Sequence, residues 1–302
     1  MKRSSIKQFM DDGNRPGYTA EGMSRQIWKR FKRNRLATFG LFILIVIFVL
    51  ALFAPSLVTH DPAQQNLMNR FSAPSSAHWL GTDEYGRDVF SRLLYGARVS
   101  LAVAFTAVLG SLTIGAIIGA TAGYYGGWID NLLMRIVDIF NAFPSIFLLI
   151  TIVALLEPSL TNIIFVFILL GWTGTARLVR GEFLSLKERE FIWAAKSIGV
   201  SDARIMFMHI LPNAAGPMIV SATLGVGGVI LAESGLSFLG LGIQPPLASW
   251  GNMLQSAQSL SVMVLAPWYP LFPGMLILVT VLCFNFIGDG MRDAFDPKDY
   301  RQ

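Results

Sequence analysis

The sequence predicts an all-α protein threaded through a membrane by six helices, and three observations carry that expectation. Of 302 residues, 53% are hydrophobic and only 14% charged, against roughly a quarter charged in a soluble domain. Several apolar runs exceed the ~18 residues that mark a membrane span. Lys and Arg crowd the segments on one side of those runs. The balance excludes an ordinary soluble enzyme. A β-barrel is excluded because the runs are continuously apolar rather than alternating.

The first 36 residues form a polar tail with ten Lys and Arg, ending in Trp28-Lys29-Arg30-Phe31-Lys32-Arg33-Asn34-Arg35. A secretory leader would place a short apolar core near the start, with a small-residue cleavage site behind it. A basic stretch ahead of a long apolar run reads instead as a cytoplasmic tail before an uncleaved span. The positive-inside rule accounts for these charges, so no nucleic-acid partner is expected. Spans are predicted over residues 37–58, 99–124, 132–156, 160–179, 214–239 and 266–287. At about 1.5 Å per residue, twenty or more residues cross a hydrocarbon core of about 30 Å.

The connecting segments complete the layout. Residues 59–98 hold Pro62, Pro74 and many polar groups, and form a folded external element between the first two spans, so residues 37–98 make one unit. Residues 99–289 make the transmembrane core, and residues 290–302 a second tail. Within the core, residues 180–213 form a loop on the side of the tails. Residues 240–265, with Pro245-Pro246 and neither Lys nor Arg, form a second external stretch. Twenty of the 24 Lys and Arg fall in the two tails and the segments on their side; only Arg70, Arg87, Arg92 and Arg98 fall opposite. Both termini are therefore expected in the cytoplasm, with membrane lipid around the spans.

The membrane part offers little chemistry. Gly115, Gly119 and Gly123 recur every four residues, a smooth stripe that lets another helix approach closely; lining a path is the other reading. Ionisable groups inside spans point to function by default, and two qualify. Asp138 lies three residues after Arg135 on one helix face, so an end-of-helix pair is expected. Glu233, late in the fifth span, is expected to be a solvated carboxylate at the interface; a gating or interhelical hydrogen-bond role is the alternative. Two such groups do not make a proton relay.

Enzymatic readings fail on inventory. His60, His78 and His209 are all expected in loops, so no intramembrane Ser–His pair forms. There is no H-E-x-x-H, and no metal site is expected. Phe286-Ile287-Gly288-Asp289 lacks the first glycine of a G-x-G-D protease pattern. No Gly-Lys dipeptide occurs, so there is no Walker-type phosphate loop, and energy for uphill transport must come from a partner. Cys283 reads as a small core residue. In the external element Asp83, Arg87, Asp88 and Arg92 place four charges within ten residues, and a local ion-pair network is expected, with Asp88 pairing Arg92.

The loop over residues 180–213 reads as a docking element. Arg189 to Ser197 suits a short helix, with Trp193, Ala194 and Ala195 at its centre. Gly199 fits its C-terminal cap and Ser201 or Asp202 the N-cap of a second helix. Leu211-Pro212 then starts the return to the membrane. An interfacial loop resting on headgroups is the plainer reading.

Here the residues resemble a family. Trp193-Ala194-Ala195 with Gly199, followed by His209-Ile210-Leu211-Pro212, resembles the EAA loop of type I ABC importer permeases. Trp193 stands where the usual Glu would be. Further phrases resemble the C-type subunit of dipeptide/oligopeptide permeases. They are Leu80-Gly81-Thr82-Asp83-Glu84-Tyr85-Gly86-Arg87-Asp88, Glu233-Ser234-Gly235-Leu236-Ser237-Phe238, Trp250-Gly251-Asn252-Met253 and Asn285-Phe286-Ile287-Gly288-Asp289.

The resemblance implies the type I ABC importer permease fold in a bacterial inner membrane, with the loop as a coupling helix that inserts into an ATPase groove. Trp193, Ala194, Ala195, Gly199, Leu211 and Pro212 are then the ATPase-docking residues. It also implies a second homologous permease, two ABC ATPases that bind the ATP, and an external substrate-binding protein, with no cofactor on this chain and no enzymatic activity of its own. Peptides are the expected cargo; relatives carrying nickel chelates, glutathione or other solutes share these phrases. Two rivals from other classes are an ion-coupled secondary transporter and a channel or scaffold. Neither calls for a docking elbow.

Overall fold

Long apolar runs must satisfy every backbone amide internally when they leave water, and helices do so. The computed structural model describes residues 23–295. The tail residues 1–22, and Asp296-Pro297-Lys298 with Arg301, lie outside the described residues. The elements in order are α1 (Met23–Arg33), α2 (Arg35–Leu52), α3 (Ala54–Leu57), α4 (Val89–Tyr125), α5 (Gly127–Asn141), α6 (Ser145–Leu155) and α7 (Leu160–Leu186). There follow α8 (Glu190–Ser197), α9 (Asp202–Arg204), a π-turn (Ile205–Ile210), α10 (Leu211–Phe238), α11 (Trp250–Gln255), α12 (Leu260–Leu265) and α13 (Trp268–Phe295). No strand occurs among the described residues.

Among the described residues, five helices are long and apolar enough to cross a membrane: α2, α4, α7, the continuous stretch Asp202–Phe238, and α13. The third expected span, residues 132–156, is not one straight helix. It divides into α5 and α6, bent by 79°. The cause is Pro144, which lacks an N–H and pushes Phe143 away from helical backbone angles. With the bent pair taken as one, the crossings number six.

The helices also outrun the expected spans. α4 and Asp202–Phe238 are each 37 residues, about 55 Å at 1.5 Å per residue. That is far more than a ~30 Å core needs. α4 therefore begins inside the expected external element, at Val89, and carries Arg92 and Arg98. α7 runs on to Leu186, so the loop expected from residue 180 starts later. His209, expected in a loop, sits in the π-turn. The π-turn has a local cause: Pro212 offers no N–H, and its ring crowds the carbonyl four residues back.

The glycine stripe is the seam of the bundle. A Cβ on Gly115 would stand 2.6 Å from Thr175 Cβ, one on Gly123 2.6 Å from Phe183 Cβ, and one on Gly119 would strike the Ala176 carbonyl oxygen. So α4 and α7 touch backbone to backbone, the packing that small residues permit. Gly119→Leu is expected to destabilise by ~1–3 kcal/mol or more, because the obstacle is main chain and cannot rotate away. A lowered thermal unfolding midpoint of the purified chain would register it; an unchanged midpoint would show that the helices separate freely.

Both described ends meet at one end of the bundle. Phe31 of α1 is buried against Ala37 and Ala294, and Asn34 Nδ2 donates to Asp293 Oδ2 at 3.3 Å. A Cβ on Gly216 would lie 2.9 Å from the Phe295 ring, placing the start of α10 at the same end. The elbow of α8 and α9 therefore shares that end with the tails, and the segments 59–88 and 240–265 share the other.

Candidate functional site

The elbow is built by one turn and a set of braces. Gly199 has φ +80, a conformation in which a Cβ costs ~1–2 kcal/mol. Val200 N–H donates to Ala195 O at 3.1 Å and Gly199 N–H to Lys196 O at 3.0 Å, a Schellman arrangement that closes α8. Ser201 takes the N-cap position of α9, with no side-chain cap bond. The second helix does not stay short. It passes through the π-turn straight into α10, so the elbow is rigidly continuous with a span.

Its inner face is sealed. Ile192 and Ala195 are buried with Ile205, Met206, Ile210, Val179 and Phe183. Tyr124, at the end of α4, donates its hydroxyl to Asp202 Oδ1 at 2.5 Å, and Lys196 Nζ lies 5.4 Å from the Tyr124 ring centroid. Two ion pairs hold α7 against α5 nearby. Arg180 grips Asp130 with Nε and Nη2, at 2.5 and 2.6 Å, and Arg177 Nη2 reaches Asp138 Oδ1 at 2.7 Å. The partner expected for Asp138 was Arg135; the in-helix spacing permits that pair, but the facing helix offers a planar guanidinium at bonding distance instead.

The expected docking residues divide. Trp193 is 56% exposed, Ile198 82% exposed, and Ala194 and Gly199 are exposed, with no atom within 4 Å of where a Gly199 Cβ would stand. Ala195, at 7%, faces the chain's own core and not an outside surface. That sets it apart from Trp193, Ala194 and Gly199 among the residues expected to dock. It lies three residues after Ile192, hence on the buried stripe. Leu211 packs against the same core, while Pro212 is exposed.

At the opposite end Asp83 is the hub of the external turn. Its Oδ1 accepts from Tyr85 N–H and Arg87 N–H, both at 2.9 Å. Its Oδ2 accepts from Arg87 Nε at 2.7 Å and lies 3.5 Å from Arg92 Nε. The charges thus form a network with a different wiring from that expected: Arg92 pairs with Asp83, not with Asp88, and also donates to Pro62 O at 3.2 Å. Asp88 is the N-cap of α4, accepting from Ser91 N–H at 2.8 Å, and its other oxygen stands 2.9 Å from His78 Nδ1. A charge used as a cap is held by its own helix and is not free to pair one turn along.

The second external segment is stitched to the first and to α10. Ser256 Oγ donates to Glu84 Oε1 at 2.7 Å, and Trp250 Nε1 donates to Leu93 O at 3.2 Å. Glu233 is 1% exposed, not a solvated carboxylate. Its Oε1 accepts from Ser237 Oγ at 2.7 Å and Ser249 Oγ at 3.1 Å, so it anchors the segment after α10, the interhelical role that was the alternative. Sequence reasoning missed Tyr124 with Asp202, and the approach of His60 and His78 to Asp88, because separations of 78, 28 and 10 residues carry no periodic signal.

The molecule is thus a bundle with a braced elbow at one end and two interlocked segments at the other. Residues 93–298 match the family model described as the binding-protein-dependent transport system inner membrane component. Residues 22–74 match the N-terminal transmembrane domain of oligopeptide transport permease C. The chain is 50% identical over 281 residues to a dipeptide transport system permease protein of Alkalihalophilus pseudofirmus, covering 93% of this chain and 92% of that one. It is 42% identical over 279 residues to an oligopeptide transport system permease protein of Bacillus subtilis, covering 91% of each. Against a glutathione transport system permease protein of Pectobacterium atrosepticum it is 44% identical over 276 residues, again covering 91% of each. On the span of these matches and the helical architecture that underlies them, the chain belongs to the family of binding-protein-dependent transport system inner membrane components.

Proposed function

We propose that this chain forms half of the translocation path of an ATP-driven importer of short peptides. It works in a bacterial inner membrane with both termini in the cytoplasm. A second homologous permease completes the path, two ABC ATPases bind and hydrolyse ATP, and an external binding protein delivers cargo. The transport step calls for no cofactor on this chain. The observation that carries the reading is the elbow. It presents Trp193, Ala194, Ile198 and Gly199 outward, while its inner face is fused to α4, α7 and α10. A push on that surface therefore moves spans rather than a loose loop. An ion-coupled transporter or a scaffold has no use for such a part.

Peptide cargo is supported by the named substrates of the relatives, which are dipeptides, oligopeptides and glutathione, all built on peptide linkages. The test is uptake of a labelled dipeptide into cells carrying the second permease, the two ATPases and the binding protein, with and without this chain. Uptake that depends on it, and co-purification of both ATPases with it, are expected. ATPase co-purification without peptide uptake would keep the importer and remove the cargo; absence of any ATPase would remove the importer.

Orientation has its own test. Ser76 and Ser185 are both exposed. In a Cys283→Ala background, an impermeant thiol reagent applied to whole cells is expected to label a cysteine placed at 76 and not one at 185. The reverse pattern would invert the molecule in the membrane.

A further inference from the structure

Asp88 is a buried carboxylate whose charge no Lys or Arg among the described residues meets. Its side chain is 0% exposed, and the ion pairs formed by Arg87 and Arg92 go to Asp83 and Glu84. Its Oδ2 is fully engaged, by Ser91 N–H at 2.8 Å, Ser91 Oγ at 2.7 Å and Thr59 Oγ1 at 3.4 Å. Those bonds fix the carboxylate plane and aim Oδ1 at two imidazoles. Oδ1 stands 2.9 Å from His78 Nδ1 and 3.9 Å from His60 Nδ1. The rings lie 4.5 Å apart, tilted by 31°, and His60 Nδ1 also lies 3.0 Å from Thr59 Oγ1.

Hydrogen bonding explains half of this. A His78 N–H can donate to Oδ1, but His60 is too far to do the same. Two imidazoles offering the same nitrogen to one carboxylate oxygen is the donor set of a metal site. One ligand atom from each of the three residues falls within 4.8 Å of the others. Zinc takes His nitrogen at about 2.0–2.1 Å and carboxylate oxygen at about 2.0–2.2 Å, so neighbouring ligands on a tetrahedral ion stand about 3.4 Å apart. The two Nδ1–Oδ1 separations bracket that spacing, and His60, whose side chain is 38% exposed, is free to close the difference. The hydroxyl and amide donors on Oδ2 supply the outer contacts that orient a ligating carboxylate.

We propose that His60, His78 and Asp88 form a binding site for zinc or a similar divalent transition-metal ion, with the remaining position open to water. The three ligands come from the start of the external segment just past α3, the middle of that segment and the N-cap of α4. The ion is a clasp that joins them.

The test uses the assembled transporter in nanodiscs, stripped with a chelator and titrated with Zn²⁺ against a chromophoric indicator. One zinc more per copy of this chain is expected in wild type than in His60→Gln or His78→Gln, with affinity at the site lowered about tenfold or more in each. His209→Gln, at the other end of the molecule, is expected to match wild type. A wild-type complex that takes up no more zinc than the His60→Gln/His78→Gln double variant overturns the site, as does loss in only one of the two single variants. If the variants do not assemble, wild type alone decides. Zn²⁺ should slow diethyl pyrocarbonate modification of His60 and His78, but not of His209, read by peptide mass. Unchanged rates at both overturn the proposal.

Discussion

Replacing Asp83 with alanine is expected to strip the permease from the membrane. The carboxylate is buried, accepts two backbone N–H groups and faces two guanidiniums whose side chains are only 6% and 2% exposed. Alanine leaves Arg92 as a buried cation without its counter-ion and Arg87 with only Glu84, at 3.8 Å, a loss of about 3–5 kcal/mol. That is a large part of the ~5–15 kcal/mol that holds a domain together. Steady-state abundance and the thermal aggregation midpoint of the purified complex should both fall sharply. Asp83→Asn keeps an acceptor for the two N–H groups while removing the charge, so it should fall between alanine and wild type. Wild-type abundance and midpoint for Asp83→Ala would mean the network contributes nothing.

The same wiring decides a charge swap. Asp88→Arg combined with Arg92→Asp should be no better than either change alone, because these two side chains are not partners. The swap removes the cap of α4 and places a guanidinium between two imidazoles. A cycle over Asp83 and Arg87, in contrast, should show non-additivity well above the ~0.5 kcal/mol scatter of independent sites. Rescue by the 88/92 swap would require a rearranged segment.

These residues also show what a sequence gives up. Their charges and closeness were legible, and so was the existence of a network; the partners were not, because pairing depends on which side chain a helix cap has already taken. Span positions were legible because apolar runs report contact with lipid. Their ends were not. Hydropathy stops where lipid stops, whereas α4 continues ten residues further back through Arg98 and Arg92. The bend between α5 and α6 was hidden for a related reason: Pro144 interrupts the backbone without interrupting the apolar run. At the elbow the Gly199 turn was legible, since only a positive φ calls for glycine there. The inward turn of Ala195 had a signal too, in Ile192 three residues before it, but two adjacent alanines look alike until the helix phase is fixed by what α8 packs against. His60, His78 and Asp88 had none.

That phase changes what the elbow mutations mean. Trp193→Ala is expected to have the largest effect on coupling with the smallest effect on the chain itself. The indole is more than half exposed, with Lys196 Nζ 5.7 Å from its ring centroid. Truncating an aromatic at the centre of a contact costs about 2 kcal/mol or more, roughly a thirtyfold loss of affinity. Trp193→Phe keeps an aromatic anchor and should keep most of the binding. Gly199→Asp should also uncouple, by straining the +80 turn and by placing a charge on the exposed face. Ala195→Asp is a different experiment. It puts a carboxylate among Ile192, Ile205 and Phe183 with no partner, so it should lower the thermal midpoint of the isolated chain before any partner is added.

The measurement pairs that midpoint with a pull-down of the ATPases and an uptake assay at matched membrane abundance. Trp193→Ala and Gly199→Asp should lose ATPase and uptake together, with Trp193→Ala keeping the wild-type midpoint; Ala195→Asp should lose the midpoint as well. Full ATPase recovery and uptake in both Trp193→Ala and Gly199→Asp would show that this surface transmits nothing. The braced elbow would then be only a corner of the fold.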